Sequence, residues 1–134
     1  MDILVRESDR ERVTAQLTQK NWTFVQELAI NGTTFRSHEG IELDVLFGNQ
    51  VWLDEAFATI GRDPAGYPVI GLPYLILMTM NSGRLIDLGD IGKMLGWNED
   101  DVIDEVRDVV GRYSPADTAD LESMILLGRL EREQ

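Results

Sequence analysis

The chain has 134 residues, 24 of them acidic and 12 basic, a net charge of −12 and no cysteine. That length suits one soluble globular domain, and the absence of cysteine excludes disulfides, thiol nucleophiles and Cys-ligated zinc, while a lone histidine excludes multi-His metal clusters. A phosphate backbone would repel so acidic a chain unless its arginines gathered on one face, so no nucleic-acid partner is expected.

The first residues run from Met1 to Val5 straight into Arg6-Glu7-Ser8-Asp9-Arg10, which is not the layout of a secretory signal, and a cytoplasmic protein is expected. The apolar stretch 69–80 is broken by Gly71, Pro73 and Thr79 and is far shorter than the ~20 residues a bilayer requires, so no membrane segment is expected.

Residues 1–5 read as a short strand. Ser8 and Glu11 then have the spacing of a capping box at a helix start, and Val13 and Leu17 lie four apart on that helix. Three runs rich in aromatic and β-branched residues follow at 22–25, 33–36 and 41–47. Asn31-Gly32 reads as a hairpin dipeptide, because both residues accept positive φ, and His38-Glu39-Gly40 as a second turn, so the runs form an antiparallel meander. Alternation in the last run sets Ile41, Leu43 and Val45 on one face and Glu42 and Asp44 on the other.

A short helix is predicted within 51–60, ended by Gly61, then a loop at 62–66 and a short strand at 67–70. The remainder reads as helical. Leu75, Ile76 and Met80 form one patch; Leu85, Leu88, Ile91, Met94 and Leu95 recur at helical spacing, with Gly96 as a C-cap. Asn98 is placed to cap the next helix, whose apolar stripe is Val102, Ile103, Val106, Val109, Val110 and Tyr113. Ser114-Pro115 restarts the chain for a last helix carrying Leu121, Met124, Ile125 and Leu130. The expected architecture is a single α/β domain over 1–134, strand-rich over 1–70 and helical over 71–134. Its sheet is mixed but largely antiparallel, of about four or five strands, with helices packed on it.

Carboxylates converging at strand ends can hold Mg²⁺ through oxygen ligands and position a triphosphate, and Asp2 and Asp44 are the candidate pair. The plainer alternative places Asp44 on the solvent face of a half-buried strand and Asp2 at a frayed terminus. His38, in turn composition, reads as a solvent-exposed side chain rather than a general base, and no serine has a histidine near it in sequence. Trp22, Trp52 and Trp97 read as packing residues.

The order of these pieces resembles the nucleotidyltransferase-like superfamily, especially its small toxin-like branch: Asp2-Ile3-Leu4-Val5, a helix, a meander ending in Ile41-Glu42-Leu43-Asp44-Val45-Leu46-Phe47, an apolar helix after Val69, then Gly83-Arg84-Leu85-Ile86-Asp87-Leu88-Gly89-Asp90. The resemblance covers about residues 1–96. It implies Asp2 and Asp44 as catalytic, metal-binding acids with Mg²⁺, and Arg84, Asp87 and Asp90 as nucleotide contacts, with transfer of a nucleotidyl group to a hydroxyl or a protein side chain. Arg84 and Asp87, three apart on a helix, also suit a plain surface ion pair.

Against the family pattern the chain departs in its cations and its first acid. Active members carry a Gly-Ser turn and an acid two residues ahead of the one at Asp2, and lysines where this chain has Thr79 and Ile86. One donor aimed at a transferring group contributes roughly 2.7–4 kcal/mol to a transition state, so weak or absent catalysis is expected. Either the chain is a shortened form of a longer protein or it is a degenerate member, and the two missing lysines favour degeneracy. The expectation is therefore a binding or interaction module with a protein partner or a second copy of itself. The alternatives are a Mg²⁺-dependent nucleotidyltransferase completed from outside the chain, or a structural homodimer. A dimer is expected through an uncovered sheet edge or through the apolar surplus of the last helix, Met124, Ile125, Leu126, Leu127 and Leu130.

Overall fold

In a computed structural model of the chain, residues 1–82 and 85–133 are described, with side chains for all of these except 82 and 85–89. The fold is α+β: a mixed four-stranded sheet, a second sheet of two short strands, and a helical C-terminal half. Contacts divide the chain into two compact units, Met1–Leu53 and Asp54–Gln134. The boundary lies ahead of residue 70, because the short helix and hairpin that precede the long helices cluster with them.

In the first unit β1 (Asp2–Arg6) leads through a 3₁₀ turn (Glu7–Asp9) into α1 (Arg10–Gln19), followed by β2 (Thr23–Glu27), β3 (Gly32–Arg36) and β4 (Glu42–Gly48). The sheet order is β1-β4-β3-β2, with β1 parallel to β4 and the meander antiparallel. Alternation in β4 buries Leu43, Val45 and Phe47 with Phe35 of β3, and Ile3, Val5, Val13, Leu17 and Trp22 pack against them, whereas Ile41, expected on the same face, lies ahead of the strand and is 52% exposed. Burial of these rings and branched chains is the main stabilising term of the unit, at about 25 cal/mol per Å² of apolar surface.

Two local expectations in this unit are corrected. The capping box does not form: Ser8 lies inside the 3₁₀ turn, Asp9 occupies the N-cap without a side-chain bond, and Glu7 reaches forward to Arg10 instead. Gly32 is not a positive-φ turn residue but the first residue of β3, where an added Cβ would stand 2.7 Å from the Val45 carbonyl oxygen. Glycine is required there by close approach of two strands, not by the turn. The second turn agrees with expectation. Gly40 has φ 88°, its N–H donates to the Ser37 carbonyl, and the Ile41 N–H donates to Ser37 Oγ. The end of α1 uses Asn21 at φ 67°, with Trp22 N–H closing back on the Leu17 carbonyl at 3.0 Å.

The second unit contains the remainder of α2 (Leu53–Ala58), the hairpin β5 (Gly61–Arg62) and β6 (Pro68–Val69), then α3 (Leu72–Ser82), α4 (Leu85–Gly96), α5 (Asp100–Tyr113) and α6 (Thr118–Arg132). Ile76, Leu77, Ile91, Leu95, Ile103, Val106, Val110 and Leu121 are almost fully buried, so these positions of the helical stripes face the core; Leu130, expected in the stripe of the last helix, is exposed, and the side chains of Leu85 and Leu88 lie outside those described. Gly96 does not cap α4 by a left-handed turn. It lies in the helix against Gly128 of α6, and Gly92 is the other contact: a Cβ on Gly128 would collide with the Gly92 carbonyl, and one on Gly96 with the Gly128 carbonyl. Asn98 does not cap α5 either; its Nδ2 donates to the Met94 carbonyl at 2.6 Å and so closes α4, while Glu99 precedes α5 without a side-chain cap. Among the described residues no helix is long and apolar enough to cross a membrane.

Candidate functional site

The parallel ladder between β1 and β4 sets Asp2 directly opposite Asp44, and the Asp44 N–H donates to the Met1 carbonyl at 2.9 Å. Opposed residues project from the same face of a sheet, so the two carboxylates the sequence singles out are neighbours. That face is the one opposite Leu43, Val45 and Phe47. On the far side of Asp44, Thr34 of β3 occupies the same row, and its hydroxyl donates to Asp44 Oδ1 at 2.6 Å. Thr34 is buried at 2% exposure, so the bond fixes the Asp44 carboxylate in a sheltered position while Asp2 is exposed. Sequence reading missed Thr34. In the same β3–β4 register Arg36 stands opposite Glu42, an exposed ion pair at 2.7 Å.

As a cation site this donor set is small. Mg²⁺ is commonly held by one or two carboxylates, with water and substrate phosphate completing six oxygens, and Asp2 with Asp44 would supply the protein's share. Among the described residues no group of three His, Cys, Asp or Glu side chains gathers to hold a metal. Asp90 is exposed on α4, in the second unit. Arg84 lies outside the described residues, as does the side chain of Asp87. The Thr79 hydroxyl donates back to the Leu75 carbonyl at 2.7 Å. His38 is exposed in its turn, and of the tryptophans Trp52 is buried, Trp22 joins the sheet core and Trp97 is 70% exposed.

Two polar networks went unread in the sequence. In the first unit Arg10 donates to both carboxylate oxygens of Glu7 and to Asn31 Oδ1, and its guanidinium lies 4.0 Å from the centre of the Phe47 ring. Asn31 Nδ2 donates in turn to Glu7 at 2.8 Å and to the Phe47 carbonyl at 2.9 Å. The cluster ties the start of α1 to the β2–β3 turn and to the end of β4, and the Arg10 guanidinium holds the Glu7 carboxyl below its usual range. In the second unit Glu55 of α2 receives two hydrogen bonds from Arg112 of α5, at 3.0 and 3.3 Å, and one from the buried Tyr74 hydroxyl of α3 at 2.8 Å. Arg112 and then Tyr74 pull the Glu55 carboxyl down; burial, with Glu55 second, pushes the Tyr74 phenol up. Both networks consist of satisfied charges that clasp helices and strands, and neither leaves a nucleophile beside a base.

No protein-family model matches the chain, and a comparison with curated proteins finds no match.

Proposed function

We propose that the chain is a nucleotidyltransferase-like protein that keeps an acid-bearing mixed sheet and serves as a binding or interaction module with little or no nucleotidyl transfer. The observation that carries this reading is the β1–β4 register, which sets Asp2 beside Asp44 on one sheet face with Thr34 holding Asp44. Two carboxylates on adjacent strands are what the resemblance implies. Transfer also needs cationic groups on the phosphates, and threonine and isoleucine stand at the two positions where the family has lysine.

Calorimetric titration of the chain with Mg²⁺ and each of ATP, GTP, CTP and UTP tests it. Binding weaker than about millimolar is expected, because two carboxylates alone supply few ligands and no phosphate clamp. Asp44→Asn should weaken whatever residual binding is measured. Micromolar binding abolished by Asp44→Asn would overturn the inactive reading in favour of a Mg²⁺-dependent transferase, and micromolar binding indifferent to that change would move the site away from this face altogether.

A further inference from the structure

We propose that β1 is a self-recognition edge: two copies of the chain pair antiparallel through it, Leu4 against Leu4 on a two-fold axis, to make one continuous sheet from two. The inference uses the sheet edge alone and does not rest on the nucleotidyltransferase likeness.

The hydrogen-bond pattern of β1 selects the pairing. Because the Asp44 N–H bonds to the Met1 carbonyl with Asp2 opposite Asp44, alternation turns the backbone groups of Met1, Ile3 and Val5 toward β4 and those of Asp2, Leu4 and Arg6 away from it. β1 is the outer strand of its sheet, paired with β4 alone among the described strands. In an antiparallel ladder the residues that exchange both bonds stand directly opposite each other, so outward-turned residues must face outward-turned residues. Setting Leu4 against Leu4 brings Asp2 against Arg6 of the second copy and Arg6 against its Asp2, and uses every outward-turned residue. A slip of two residues either way loses a pair and opposes a charge to Leu4.

Side chains favour the same register. The strand reads acid, three apolar residues, base, so an antiparallel copy places opposite charges together at both ends, on the face that carries Asp2 and Asp44. Ile3 then faces Val5 of the second copy on the core face, joining two apolar rows that already pack on Phe35, Leu43, Val45 and Phe47. Ile3, Leu4 and Val5 are only half-buried in the single chain. The two edges of the sheet differ in this respect. At the other edge β2 carries an irregularity between Phe24 and Gln26, a device that discourages strand addition, whereas β1 is regular and has no proline, lysine or bulge. The contact is isologous and closes at two chains. Five residues a side fall short of the ~800 Å² per partner of tight complexes, so association in the range of tens of micromolar is expected.

Sedimentation equilibrium of the whole chain up to about 200 µM should approach twice the 15.1 kDa chain mass. Asp2→Arg and Arg6→Asp each oppose like charges at both ends of the contact and should weaken the dimer about tenfold, and the double variant should restore it. Within one strand those positions are about 13 Å apart at ~3.3 Å per residue, so rescue reads a pair formed between copies. A monomer throughout, a double variant as weak as the single ones, or a dimer indifferent to both and split by Leu127→Glu on the exposed leucines of α6 would each overturn the proposal. The unsubstituted protein gives a further readout. Hydrogen exchange at the Leu4 amide, which points away from β4, should slow as concentration rises; a rate independent of concentration overturns the pairing whatever the variants do.

Discussion

Layer spacing in residues 1–53 is set by side chains, with Phe35, Leu43, Val45 and Phe47 filling the space between the sheet and α1, whereas in the second unit α4 and α6 meet at glycines, where no side chain stands between the two backbones. There α4 and α6 meet backbone to backbone through Gly92, Gly96 and Gly128. A core filled by rings and branched chains can relax around a lost methylene, so its failures are graded and follow the volume removed. A glycine crossing has nothing to give, because the atoms a Cβ would strike are main chain, so its failures are abrupt and follow addition, not removal.

The largest expected effect breaks the first regime. Phe47→Ala removes a buried ring that also carries the Arg10 guanidinium on its face, and should cost about 3–5 kcal/mol in denaturant unfolding, while Phe47→Leu should recover most of it. A loss below about 1 kcal/mol would mean the ring is not a core element. For the second regime, Gly128→Ala should destabilise by about 1–3 kcal/mol although alanine is intrinsically the better helix former by about 1 kcal/mol, since its Cβ has only the Gly92 and Gly96 backbones to meet. Gly111 of α5 sharpens the comparison: it is exposed, an added Cβ meets nothing within 4 Å, and Gly111→Ala should stabilise by about 0.4–1 kcal/mol. Opposite signs for the two alanines in thermal melts would separate crossing from propensity; the same sign for both would sink the close-contact account.

The smallest effect concerns charge. Arg112 and Tyr74 hold the Glu55 carboxyl below its ordinary value of 4.5, as Arg10 and Asn31 do for Glu7 and Arg107 does for Glu122. A depressed carboxyl contributes stability that is complete above the unfolded value and is lost as pH falls through the folded one, so these clasps should be at full strength near neutrality and fade below about pH 4.5. Urea midpoints at low salt should therefore fall between pH 5 and pH 3, and Glu55→Gln should reduce the size of that fall; an identical acid limb in the variant would show that the clasp contributes nothing. These pairs are largely exposed, so the shift should shrink on adding salt.

Strand alternation and helical periodicity are relations between residues two, three or four apart, and what depends on them was legible in the sequence: the meander, the core face of β4, the buried stripes of α5 and α6, the outward placement of Asp44, and the α+β class itself. Asp44 could be placed on the face opposite Leu43 and Val45 from local pattern alone. Its neighbour Asp2 was found only as an acid at a strand start, since adjacency needed the parallel register between β1 and β4. What tertiary structure decided spans longer separations: Thr34 on Asp44, Asn31 on the Phe47 carbonyl 16 residues away, Arg112 on Glu55 57 residues away, and Gly96 against Gly128. The same local chemistry admits two uses in each case. A glycine after a helical run suits a left-handed cap or a close crossing, an asparagine before a helix suits that helix or the end of the previous one, and a serine three residues before a glutamate suits a capping box or a 3₁₀ turn. Which use prevails depends on what packs opposite, and that is settled by contacts whose partners no local pattern encodes.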